Sequence, residues 1–260
     1  MKALPFPCIR PAQDRVIEAM SKAGATLSSN DSLRDALAQE LLLKDPGAAY
    51  YIYECSGAAG AVTGVVAICP VEVLGDEASD ESGATSSLDA GGNTEGTRED
   101  SNATTDEVAA GDKTTADTSS DGIAIAELKV QPRPVSLTYD ASPVMDIILG
   151  AAKEGAALYA VTDPTGTTHR VWEVKREDAV GAIRAMLDQA PGPSVAGDTA
   201  YAAALTSASR QLVAEAKKNG SLTGKEPFNY VLSALFPAAR VSGAAPQMPA
   251  GMLTHQIARF

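Results

Sequence analysis

Apolar and polar positions follow two rhythms along this chain. Large aliphatics recurring every three or four residues predict helices, and apolar runs bounded by glycines predict strands. The helical rhythm covers residues 12–23 and 31–44, the latter with Leu33, Leu37 and Leu41 four apart and Asp31 near its start. "YYIYEC" (50–55) and "AVTGVVAIC" (61–69) flank the turn "SGAAG" and predict a β-hairpin, ended by Pro70. "PVSLTY" (134–139) reads as a further strand, followed by a helix with Ser142 as N-cap and Pro143 at its first position. "ALYAVTDPTGTTHRVWEV" (157–174) is a second hairpin, turning on Asp163, Pro164, Thr165 and Gly166. Residues 176–190 read as helical. A longer helix after Gly197 places Tyr201, Leu205, Ala208, Leu212 and Ala216 on one face, with Lys217 and Lys218 in its last turn and Gly220 beyond. "NYVLSALF" (229–236) reads as a buried strand. Strands joined in hairpins and mixed with helices predict an α+β fold, a mixed sheet with helices packed on it.

Charge divides this picture into parts. The net charge is −12, yet residues 75–122 hold thirteen acidic and two basic residues, so the rest of the chain is almost neutral. That stretch has no aromatic residue, and Leu88 and Val108 are its only large aliphatics. It cannot bury enough apolar surface to offset an ordering entropy of about 1–2 kcal/mol per residue, so a disordered acidic insert is expected there. The organisation expected is therefore residues 1–74 as the first part of the α+β domain, 75–122 as the insert, and 123–260 as the remainder. The nearly neutral folded part carries no basic stripe, which argues against nucleic-acid binding. "MKALPFPCIRP" breaks at prolines after a very short apolar run and predicts neither a signal peptide nor a membrane span. Cys8, Cys55 and Cys69 form no C-x-x-C pair, and three widely spaced thiols fit a reducing cytoplasm. Oligomeric state has no signature in the sequence.

Candidate chemistry is sparse. His169 and His255 are the two histidines, far apart in sequence, so a histidine-rich metal site is not expected. "GSLTGKEP" (220–227) has three residues between its glycines and Glu226 where a phosphate loop needs Ser or Thr, so it reads as a helix C-cap. "GAAGAVTG" (57–64) lies between strands and reads as a hairpin turn. Cys8 follows Pro7 with no nearby histidine to activate it, and an inert thiol is expected. "PSVAGDTAYAAAL" (193–205) is the one loop-to-helix junction with the shape of an anion site, since free backbone N–H groups gather at a helix start. It holds no His, Lys, Arg or Cys.

Several segments, in order, resemble the bacterial family catalogued as domain of unknown function 1015. "FPCIRP" (6–11) is similar to that family's opening F-R-G-I-R-P, and "DPGAAYYIYE" with "TGVVAI" to its early hairpin. "LYAVTDPTGTTHRVWEV" is similar to its later hairpin, and "PFNYVLSAL" to its P-Y-N-Y-V-M-A-V-L segment. The family's A-D-G-H-H-R box, which resembles one in ParB/sulfiredoxin-like proteins that include kinases of free serine, falls on "VAGDTA". Its Asp is replaced by Ala196, its Gly is kept as Gly197, its two His become Asp198 and Thr199, and its Arg becomes Ala200. The late T-H-R keeps Thr254 and His255 but has Gln256 in place of Arg.

These replacements turn a positive box negative. A unit charge about 4 Å from a phosphate is worth on the order of 4 kcal/mol at an effective dielectric near 20. The resemblance therefore implies a catalytically degenerate, cytoplasmic member of the family, a small-molecule-binding or protein-interaction module without a cofactor or metal. Its ligand-binding candidates are Arg10, Gly197, Asp198, Thr199 and His169, and its partner is an unidentified small molecule or protein. The alternative is an ATP- and magnesium-dependent kinase of a small metabolite such as free serine, with Asp198 as base and Arg10 as phosphate clamp.

Overall fold

The computed structural model describes residues 1–58, 60–75, 125, 129–140, 142–153, 155–220, 230–241 and 245–257. The expected acidic insert, from residue 76 onward, lies outside the described residues, as does "GSLTGKEP" beyond Gly220. What is described is an α+β fold with two sheets.

The larger sheet has seven strands. They are β3 (Tyr50–Gly57), β4 (Gly60–Pro70), β6 (Val135–Tyr139), β7 (Tyr159–Thr162), β8 (Thr168–Val174), β9 (Ser194–Val195) and β10 (Tyr230–Pro237), in the order β7-β8-β3-β4-β10-β6-β9. Every pairing is antiparallel except β10 with β6. The two predicted hairpins supply β3–β4 and β7–β8. In the second, the Asp163 carboxylate accepts from the backbone N–H of Thr165 and Thr167, which closes the turn over Gly166 at φ +85. Gly64 on β4 answers to packing: a Cβ there would stand 2.6 Å from the Leu235 carbonyl oxygen.

Strand alternation assigns the two faces. Tyr50 and Ile52 point to a core roofed by α4 (Pro143–Ala152), α5 (Glu177–Gln189) and α6 (Thr199–Lys218). Tyr51 and Tyr53 point the other way, into a second core with Phe6, Phe236, Met248 and Met252. In α6 the predicted face is right: Tyr201, Leu205, Ala208, Leu212 and Ala216 are buried, and Lys217 and Lys218 are exposed. Gly220 follows the C-cap at φ +67. Ser142 and Pro143 hold the predicted positions at the start of α4, although the Ser142 hydroxyl makes no capping bond.

The smaller sheet escaped the sequence reading. It joins β2 (Leu42–Lys44), β1 (Cys8–Pro11), β11 (Thr254–Gln256) and β5 (Val130–Gln131) in that order, all antiparallel. A third core packs it against α1 (Val16–Ser21), Leu27 at the end of α2 (Ala23–Thr26), and α3 (Asn30–Ala38). The helix expected over 12–23 therefore starts only at Val16, and a new one begins at Ala23. The helix expected over 31–44 stops at Ala38, and Leu42–Lys44 form a strand instead. The stop is a Schellman turn: Glu40 takes φ +55, its N–H donates to Leu37, and the Leu41 N–H donates to Ala36.

Candidate functional site

The start of α6 forms one wall of the site. β9 pairs with β6, and the Ala196 N–H extends that contact to the Ser136 carbonyl at 2.9 Å. Gly197 then turns the chain at φ +107, beyond the reach of ordinary side chains. Asp198 is the N-cap, its Oδ1 accepting from the Tyr201 N–H at 2.9 Å.

Arg133, in the loop between β5 and β6, faces this junction. Its guanidinium donates to Asp198 Oδ2 at 2.7 Å and to Gln247 Oε1 at 3.1 Å, and lies 3.8 Å over the Tyr201 ring. Its carbonyl accepts from the Tyr201 hydroxyl and from the Gln131 amide. Burial alone would raise the Asp198 pKa, but the Arg133 and Tyr201 hydrogen bonds hold it below the ordinary carboxylate value.

The second hairpin supplies the opposite wall. His169 is almost wholly buried, with Nδ1 2.8 Å from the Tyr53 hydroxyl and Nε2 3.2 Å from Asp163 Oδ2. Thr165, then His169 and the Thr167 N–H, hold the Asp163 pKa down to about 2. A carboxylate facing Nε2 calls for a proton there, and the Tyr53 hydroxyl bridges Nδ1 and the Gln247 carbonyl, which it reaches at 3.3 Å. The ring also stacks on Tyr53 at 6.0 Å. Cys55 lies opposite His169 in the β3–β8 register, half-buried, with burial pushing its pKa up, so its thiol stays protonated.

Between these walls lies an open groove of about 620 Å³, floored by the segment Ala245–Ala250 and lined by Arg133, Asp163, His169, Gly197 and Asp198. The structure thus brings together His169, Gly197 and Asp198 of the residues expected from sequence. Thr199 opens α6 with its side chain exposed and is not among the groove-lining residues.

Arg10 stands elsewhere. Its Nε donates to both Asp45 oxygens at 2.8 and 2.9 Å, and Tyr51 donates to the same carboxylate. Tyr159 contacts Arg10 and donates to the Pro11 carbonyl at 2.6 Å. This cluster ties β1 to the larger sheet, and Arg10 is not among the groove-lining residues. His255 is buried on β11, its ring edge-on to Phe6 at 5.6 Å. Cys8 is buried, and desolvation drives its thiol far above the ordinary pKa.

A family model described as protein of unknown function (DUF1015) matches residues 99–242, more than half of the chain. The chain belongs to this family. No curated protein and no solved structure matches it. The matched region of this DUF1015 chain holds Arg133, Asp163, His169, Gly197 and Asp198, while Arg10 and His255 fall outside it.

The groove's chemistry is constrained by how its polar groups are used. Asp163 accepts four hydrogen bonds, three of them within its own turn. Both nitrogens of His169 are engaged. Among the described residues lining the groove, Arg133 is the one lysine or arginine, and it is paired with Asp198. A nucleotide's phosphates require cations turned toward them, and here the guanidinium of Arg133 is turned to Asp198. Among the described residues, no group of three His, Cys, Asp or Glu is placed to hold a metal ion, and no helix is long and apolar enough to cross a membrane.

Sequence reasoning missed Arg133 and Gln247. Arg133 lies between Pro132 and Pro134 with no motif around it. Its role arises from the β5–β6 loop passing the start of α6, a contact between positions 65 residues apart in sequence.

Proposed function

We propose that this protein is a cytoplasmic, catalytically silent member of the DUF1015 family that binds a small molecule in the groove at the start of α6. The observation that carries this reading is the commitment of every titratable side chain lining the groove to a partner within the fold. His169 is locked between Tyr53 and Asp163, Asp163 is consumed by its turn, and Asp198 is bound to the α6 N-terminus and to Arg133. A general base needs a lone pair within hydrogen-bond reach of the substrate proton; both His169 nitrogens are engaged, Asp163 already accepts four bonds, and Asp198 is paired with Arg133. The apolar floor of Ala245, Met248, Pro249 and Ala250 beside a few polar groups is instead the make-up of a binding cleft.

The test pairs binding with turnover. A thermal-shift screen against free amino acids and nucleotides is expected to find a ligand that raises the melting temperature, and an Asp198→Ala variant should lose that response. A coupled nucleotide-turnover assay with magnesium and free serine is expected to read background for both proteins. Turnover by the wild type that vanishes in Asp198→Ala would overturn the silent reading in favour of the kinase.

A further inference from the structure

Asp198 occupies the place where an external anion would sit. At the start of a 20-residue helix the first N–H groups are unpaired within the helix and the dipole is positive, so this end attracts negative charge. A guanidinium aimed at the same point strengthens the attraction, and Arg133 is so aimed. Both are satisfied by one carboxylate of the chain itself: Oδ1 takes the Tyr201 N–H and Oδ2 takes Arg133. Tyr201 under the guanidinium and Gln247 beside it hold Arg133 in that direction.

The electrostatic outcome follows by counting charges on the groove wall. Arg133 contributes one positive charge, and Asp198 and Asp163 one negative charge each, beside a half-charge at the helix end. A polyphosphate approaching this wall meets net repulsion. An uncharged or zwitterionic molecule does not.

We propose that Asp198 is the charge-selectivity residue of this groove: it acts as a built-in anion that closes the groove to phosphates and leaves it open to molecules without net negative charge. This rests on the binding reading above and narrows its ligand class.

The test uses the full chain and Asp198→Asn, which keeps an N-cap acceptor and removes the charge. Inorganic pyrophosphate is titrated calorimetrically at low salt, and each protein's fold is checked by circular dichroism. Asp198→Asn is expected to bind pyrophosphate about 10- to 100-fold more tightly than the wild type, the range expected from removing one nearby unit charge at a dielectric between those of protein surface and water. Adding Arg133→Gln should abolish the gain. A folded Asp198→Asn with wild-type affinity overturns the proposal, and so does a gain that survives Arg133→Gln. Should Asp198→Asn fail to fold, Asp198→Ser, also a neutral N-cap, takes its place under the same criteria. A wild type silent toward the whole amino-acid and nucleotide panel sinks the binding reading instead, so the two failures are told apart.

Discussion

At the scale of single residues, carboxylates organise this molecule. Asp163 folds the β7–β8 turn and holds His169 at Nε2, Asp198 caps α6 and anchors Arg133, and Asp45 holds Arg10 to Tyr51. The first two have pKa values below the ordinary range, Asp163 at about 2 against 3.8. A pKa lower in the folded than in the unfolded chain means that unfolding takes up protons, so acid favours unfolding. The stabilisation is complete above the unfolded value and is lost as pH falls from about 4 toward about 2. Melting temperature should thus hold from neutral pH down to about 4 and decline below it, and Asp163→Asn should flatten the decline. An unchanged acid limb in that variant would show that Asp163 does not carry it. The junction that Asp198 occupies was legible because a helix start has a local grammar. The Arg133 that pairs with Asp198 was not, since a lone arginine between prolines has none.

At the scale of elements, what was legible follows from length and locality. The two hairpins and α6 declare themselves through turn residues and through repetition over many positions. Short strands outside the hairpins do not: β5 and β9 have two residues each, and β1 meets β11 across almost the whole chain. Leu33, Leu37 and Leu41 continue a helical rhythm past the end of α3, but Leu41 belongs to the Schellman turn and packs in the same core as Leu33 by another route. Spacing alone does not separate these geometries. The face of α6, by contrast, rests on five buried positions and gives a quantitative expectation. Leu205 has no exposed surface and lies in the core shared by α4, α5 and the larger sheet. Leu205→Ala should destabilise the protein by about 2–5 kcal/mol, measured by chemical denaturation. A loss under about 1 kcal/mol would mean that the site collapses around the smaller side chain or is not packed in this way.

At the scale of the whole molecule, charge and core belong to different parts of the sequence. Residues 76–122 carry nearly the whole net charge, whereas the described residues of the three cores lie before Gly75 and from Ile125 onward. Replacing 76–122 with a short Gly/Ser linker should therefore leave the melting temperature within a few degrees, because a loop's closure entropy changes only slowly with its length. It should also bring the protein close to zero net charge at neutral pH, where self-association and precipitation set in. Stability and solubility are thus expected to separate, the first by thermal melting, the second by light scattering against concentration. The family match begins at residue 99, inside the acidic stretch, and this sharpens the test. If residues 99–122 contribute to the fold, replacing 76–98 alone will be tolerated and replacing 76–122 will lower the melting temperature cooperatively. If the composition argument is right, both replacements melt alike and differ only in the charge they remove.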